Sequence, residues 1–352
     1  MRRGFDHKSA GSSHKDTPDA LLTIVGDCDQ RLFGMTPADR LSRQTSQLRE
    51  LHLVAHASAV LSDDTVAWLV NNPGTVVASS GGRPLAAAVN SNEVDAARKT
   101  IEGEKGLTIT KADAIGPLYV RKLRRTLAPL ALALGEQSRP VVERKLFASV
   151  YKGVTDIVTK YAWPEPALWL TRAAAALGLS PNAVTMTGLL LTLVAGWQFY
   201  VGNLAVGMIA AWLMTLLDTV DGKLARVTLT SSEFGNLLDH GNDMIHPPLW
   251  WLCLAHGIAL VAPGSGWVWP ACWTILATYL IGRFLEKGFK ARFGFNPFTW
   301  EKFDSRFRMI ISRRNTILLI MTIGLVLQRP VEALEVAPVA VVLVGLDEVD
   351  ED

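Results

Sequence analysis

The sequence predicts an α-helical integral membrane bundle of six transmembrane helices, preceded by a small soluble α/β domain. Three observations carry that expectation. The composition divides near residue 160, polar and charged before it and strongly apolar after it. Six apolar segments follow the divide, at about 183–201, 204–226, 234–260, 267–287, 313–328 and 331–346, the last two short for full spans. Ahead of it, strand-like and helix-like stretches alternate between residues 20 and 117.

Residues 1–19 are polar and lack an apolar signal segment, so they read as a flexible tail that leaves the following domain in the cytoplasm. Within 20–117, Leu21–Asp27 reads as a strand ending in a turn, and Thr36–Leu51 as a capped helix. LHLVAHA then reads as a second strand, and DDTVAWLVNN as a helix with an acidic start. GTVVAS and PLAAAV, joined by SGGR, suggest a strand pair across a glycine turn, and Glu93–Glu102 a further helix. This order, with the loop GDCDQRLFGMTPADRLSRQ, resembles a cytidylyltransferase-like fold. The glycine-rich AAGxGxR form of that loop is missing, and phosphate-cradling loops depend on accessible backbone N–H groups. The expectation is a nucleotidyltransferase-like domain that is non-catalytic, with residual nucleotide or sugar-phosphate binding as the alternative. On this reading the membrane part would work without it, in a chain starting near Glu143.

Residues 118–180 form a basic, amphipathic connector and a juxtamembrane helix. In Val120–Gly135 the cluster Arg121, Lys122, Arg124 and Arg125 joins an apolar helix face. Two readings stand side by side: a helix lying on an anionic membrane surface, and an ordinary helix of the soluble domain. Trp163 and Trp169 suit a membrane interface. Residues 181–346 make up the six-helix membrane domain, and 347–352 an acidic tail.

Loop charge sets the orientation. The stretch from Gly282 to Arg314 holds Arg283, Lys287, Lys290, Arg292, Lys302, Arg306, Arg308, Arg313 and Arg314, whereas YVGN and VAPGSG hold no basic residue. The basic loop, the soluble domain and the acidic tail are therefore expected on the cytoplasmic side of the cell inner or plasma membrane. The net charge of +2 does not imply nucleic acid. Cys28, Cys253 and Cys272 lack metal-type spacing and read as inert thiols.

The chemistry gathers in DTVDGKLARVTLTSSEFGNLLDHGND, Asp218 to Asp243. Asp218, Asp221 and Ala225 fall on one helix face, and Asp239 and Asp243 on one face of the next helix. Two facing helices bring four carboxylates together in apolar surroundings, where ionisable groups are costly and usually functional. Cations must neutralise them, and an oxygen-only ligand set suits Mg²⁺ or Mn²⁺ in a one- or two-metal site.

This spacing, with Gly222, Ala225, Arg226 and Gly235 in place, resembles the signature of the CDP-alcohol phosphotransferase family, loosely over about residues 144–346. The resemblance implies a membrane enzyme that moves a phosphoalcohol group, here a phosphatidyl group, from a CDP-alcohol to an acceptor hydroxyl and releases CMP in phospholipid or polyol-phosphate lipid synthesis. It implies Asp218, Asp221, Asp239 and Asp243 as ligands of two metal ions, and Asp243 also as the base that takes the acceptor's proton. Asp218, Gly222, Ala225 and Arg226 would bind CDP, joined by Asn182 and Thr185 of a PNxxT-like entry to the first span; a helix cap is the other reading of Asn182. Gly235 would serve close helix packing. His240, Arg283, Arg313 and Arg314 are candidate contacts for a phosphate on the acceptor or a lipid headgroup. Satisfied polar side chains at a helix end are the other reading of His240, Asn242 and His246. The family also implies a homodimer among membrane lipids. A transporter or ion-binding protein using intramembrane aspartates is the competing class, but it would scatter carboxylates along a path.

Overall fold

The computed structural model describes residues 21–46, 48, 50–120, 125–151, 155–299 and 314–342. The tail 1–19, the basic residues Arg121, Lys122, Arg124, Lys302, Arg306, Arg308 and Arg313, and the acidic tail 347–352 lie outside the described residues. Contacts divide the chain into two compact units.

The first unit is built on a five-stranded sheet in the order β1 (Leu22–Val25), β2 (His52–His56), β5 (Pro84–Val89), β4 (Thr75–Ala78), β6 (Thr108–Lys111). The outer pairs β1–β2 and β4–β6 are parallel, and the inner pairs β2–β5 and β4–β5 are antiparallel. Strand periodicity sends alternate residues to opposite faces. Leu53, Ala55, Ala86 and Ala88 pack with Leu41 of α1 (Pro37–Thr45) and Val66 and Leu69 of α2 (Asp63–Asn71). Val54, Ala87 and Val89 pack with Ala97 and Ile101 of α3 (Val94–Ile101).

α1 begins as its sequence requires. Thr36 Oγ1 accepts from Asp39 N–H at 3.1 Å, Thr36 N–H donates to Asp39 Oδ2 at 3.2 Å, and Pro37 occupies the first turn. It stops at Thr45, short of the expected Leu51. The helix expected over Val120–Gly135 is corrected. β7 (Leu118–Val120) pairs with β8 (Arg125–Leu127), and β9 (Ala131–Ala133) pairs with β3 (Ala59–Leu61). Pro129 cannot donate inside a helix, and buried Ala131–Leu134 find their partners in the sheet layer. After α4 (Ala112–Ile115), α5 (Arg139–Ser149) completes this unit, which also takes in residues 174–178 and 223–233 from further along the chain.

In the second unit, α6 (Ile157–Tyr161) and α7 (Pro164–Ala176, its last turn grouped with the first unit) precede the apolar helices. α8 (Pro181–Tyr200), α9 (Leu204–Val227), α10 (Glu233–Val261, apolar from Gly241) and α11 (Val268–Phe293) are each long and apolar enough to cross a membrane. α12 (Arg314–Val326) and α13 (Pro330–Val342) have 13 residues each. Inner faces meet in one core containing Phe199, Met214, Trp250, Trp251, Leu254 and Leu318. The outer faces are apolar as well: Leu193, Trp197, Ile209, Phe284 and Leu285 are all exposed. A helix hydrophobic all round needs an apolar environment outside the bundle. α11 runs beyond the expected end of its apolar segment, so Arg283, Lys287, Lys290 and Arg292 sit on a helix rather than in the expected loop. Gly294 closes it at φ 78°, donating to Lys290 O at 2.9 Å.

Candidate active site

The carboxylates are placed by helix periodicity. Asp218 and Asp221 lie one turn apart on α9, and Asp239 and Asp243 one turn apart on α10. The side chains of Asp239 and His240 lie outside what is described. A guanidinium joins the two helices. Arg314, the first residue of α12, donates from Nη2 to Asp218 Oδ2 at 2.9 Å and from Nη1 to Asp243 Oδ1 at 3.0 Å. Its side chain is only 14% exposed, against 45% for Asp243. One positive charge is thus held between carboxylates that would otherwise repel.

His246 braces this arginine. Its Nδ1 lies 2.7 Å from the Asn242 carbonyl, which can only accept, so the proton sits on Nδ1 and Nε2 accepts from Arg314 Nη1 at 3.1 Å. The reading of His246 as a satisfied polar group therefore has named partners. Asp221 is buried, and Thr185 Oγ1 donates to its Oδ2 at 2.6 Å. Thr185, expected at the nucleotide, here orients a carboxylate. Asn182 stands in the first turn of α8, and the cap there is Ser180, whose Oγ accepts from Ala183 N–H at 3.2 Å; the cap reading of Asn182 is corrected.

Gly222, Ala225 and Arg226 follow Asp221 along α9, and Arg226 Nη1 donates to Val150 O at 2.8 Å. Arg283 pairs with Glu286 at 3.3 Å and lies 5.3 Å from the centre of the Tyr279 ring. Arg313 lies outside the described residues. Gly235 is in the first turn of α10. Among the described residues no three His, Cys, Asp or Glu side chains form a metal cluster.

Two participants were not legible in the motif. Tyr279 Oη reaches the carbonyls of Asp243 and Met244, at 3.2 Å each, from α11. Asp156 accepts from Asn315 Nδ2 at 3.1 Å and from Thr159 N–H at 2.9 Å, which ties the start of α12 to the cap of α6 next to Arg314. Tyr279 stands one helical turn before Arg283, a spacing that marks a shared face but no partner.

Residues 178–346 match the model of the CDP-alcohol phosphatidyltransferase family. The chain is 37% identical over 81 residues to an archaetidylinositol phosphate synthase of Pyrococcus horikoshii, covering 23% of this chain and 43% of that protein. It is 31% identical over 90 residues to a phosphatidylinositol phosphate synthase of Mycobacterium marinum, covering 24% and 38%. With cholinephosphotransferase 1 of Gallus gallus it shares 37% identity over 83 residues, covering 19% and 23%. The matches thus span less than half the length of each of these relatives. A crystal structure of the Mycobacterium tuberculosis phosphatidylinositol phosphate synthase with CDP-DAG bound aligns with a TM-score of 0.42 and 21% identity, over 52% of this chain and 91% of that one.

Proposed function

We propose, because residues 178–346 match the CDP-alcohol phosphatidyltransferase family model, that the protein is an integral membrane enzyme that transfers a phosphatidyl group from a CDP-alcohol to an acceptor hydroxyl and releases CMP. The observation that carries this reading is the pairing of motif carboxylates from two helices, Asp218 and Asp243, around one positive charge. The names of the two inositol phosphate synthases favour an inositol phosphate as acceptor, and CDP-diacylglycerol is the donor proposed with it.

In the reaction the acceptor oxygen bonds to the alcohol-side phosphorus, the bond from that phosphorus to the CMP oxygen breaks, and the acceptor's proton passes to Asp243. Asp218, Asp221, Asp239 and Asp243 would hold two Mg²⁺ or Mn²⁺ ions. Their oxygen-only chemistry fits such ions, and the guanidinium already lodged between two of them supports a site made for positive charge. When bound, these ions supply electrostatic stabilisation of the phosphoryl and leaving oxygens. Thr185 keeps Asp221 oriented, and Gly222 and Ala225 leave room for the nucleotide against the backbone of α9. Arg226 supplies a phosphate partner, and Asn182 a further nucleotide contact. Arg314, with His240, Arg283 and Arg313, offers charge to a phosphate on the acceptor.

α12 and α13 would complete a six-helix bundle with the carboxylates and the soluble domain on the cytoplasmic side, and the enzyme would work as a homodimer. The soluble domain is assigned no nucleotidyl transfer, since its loop lacks the glycine-rich form. The test is CMP release by the purified protein in detergent, with CDP-diacylglycerol and a panel of polyol phosphates. No CMP release with any acceptor would defeat the reading.

A further inference from the structure

We propose that Tyr279 is a positioning residue for Asp243, because its hydroxyl closes a gap that two prolines open in the backbone of α10 beneath that carboxylate. The role assigned to Asp243 rests on the CDP-alcohol reading above; the structural link between Tyr279 and the prolines does not.

α10 contains Pro247 and Pro248 in its interior. In an α-helix the N–H of residue i donates to the carbonyl of residue i−4, and proline has no N–H to give. The carbonyls deprived are therefore those of Asp243 and Met244. A helix carbonyl that loses its backbone donor needs another partner. Tyr279 Oη stands 3.2 Å from both of these oxygens. Its single proton is shared between them, which accounts for two contacts slightly longer than an ordinary hydroxyl bond. One residue earlier, the Asn242 carbonyl receives the Nδ1–H of His246. Three successive carbonyls of α10 thus take side-chain donors.

The consequence reaches the carboxylate. Asp243 is fixed at its side chain by Arg314 and at its carbonyl by Tyr279, so α11 and α12 locate from two directions a residue whose own helix is weakened at that point. Prolines inside a helix permit bending. With the hydroxyl removed, the turn carrying Asp243 loses its tether, and a base displaced by a fraction of an ångström loses much of its effect.

The test is a cycle in the full-length enzyme with Tyr279→Phe and the double substitution Pro247→Ala/Pro248→Ala, which restores both backbone donors. Donor affinity is read by calorimetry with CDP-diacylglycerol in detergent, and turnover by CMP release at saturating donor. Tyr279→Phe alone should lower kcat about tenfold and leave donor Kd within about twofold. In the alanine background the same change should cost less than about twofold, since the backbone then satisfies its own carbonyls. Equal loss of kcat in both backgrounds, or none in the proline background, overturns the proposal. Thermal unfolding of the four proteins is the second measurement. Tyr279→Phe should lower Tm in the proline background and not in the alanine one, and an equal shift in both overturns the link even if no CDP-alcohol is turned over. An inactive wild-type enzyme would by itself count only against the substrate reading.

Discussion

At the scale of single residues, Arg314 and Asp243 define what the site can do. A carboxylate bonded through one oxygen to a buried guanidinium is held in one orientation. Asp243→Asn should therefore retain most donor affinity while turnover falls by roughly two to four orders of magnitude, the usual worth of a positioned base. On the proposed reading, in which cations would hold the pyrophosphate, Asp218→Asn and Asp221→Asn should weaken donor and metal binding together. Calorimetric titration of donor into each variant, beside CMP release, checks both; equal loss of donor binding in all three would make Asp243 an ordinary ligand.

His56 gives a residue-scale prediction in the first compact unit. Its Nε2 lies 3.0 Å from Arg83 Nη2, which can only donate, so the one proton of the neutral ring sits on Nδ1, 2.9 Å from Ser58 Oγ, and a second proton on Nε2 would face the guanidinium. Burial first, and the Arg83 charge second, hold its pKa below the ordinary histidine value. A depressed pKa contributes stability that is complete above the unfolded value of about 6.5 and is lost as pH falls through the folded value. Amide exchange in β2 should accelerate as pH is lowered through 6 beyond the intrinsic trend, and His56→Gln should remove the excess.

At the scale of elements, the apolar helices were legible because each writes its own hydrophobic run, and their bounds fall within a few residues of the segments read from the chain, α11 apart. How closely they approach was not legible. A Cβ added at Gly257 would run into the backbone carbonyl of Phe199, and one at Gly207 into the Phe199 ring. Backbone cannot yield as a side-chain tip can. Gly257→Ala should destabilise by about 1–3 kcal/mol, more than Gly241→Ala, which meets nothing nearby. Thermal unfolding in detergent measures the difference. The misread stretch was Val120–Gly135: a run of apolar residues with a basic start satisfies a helical pattern locally, and only the open edge of β3 made Ala131–Ala133 a strand.

At the scale of the whole molecule, the first compact unit takes in residues 223–233 as well as the α/β region. The last turn of α9 packs within the first compact unit, where Arg40 Nη1 donates to Val227 O and Arg43 Nη1 to Thr228 O at 2.7 Å. These are the terminal carbonyls and the negative end of the helix dipole. Leu229 follows in the left-handed region at φ 53°, a conformation that a non-glycine residue keeps only where its surroundings enforce it. Arg40→Ala/Arg43→Ala should raise amide exchange at Thr228 and Thr230, and a chain begun near Glu143 should show the same loss. Unchanged exchange there would return the domain to a dispensable role. Metal dependence belongs to this scale too. Dialysis against chelator should abolish CMP release, and added Mn²⁺ should restore it and raise Tm.

The chain by itself determined a bundle of apolar helices behind a small α/β region, with four helices long and apolar enough to cross a membrane, and the carboxylate spacing on α9 and α10, because hydrophobic runs and helical periodicity are local properties written in consecutive residues. Tertiary structure alone decided that Arg314 is the cation between Asp218 and Asp243, that Thr185 serves Asp221, that Tyr279 answers the prolines of α10, and that arginines of α1 cap α9. Each of those contacts joins residues 35 or more positions apart in sequence. A side chain's partner at that separation depends on which helices become neighbours, and packing across the whole chain settles that.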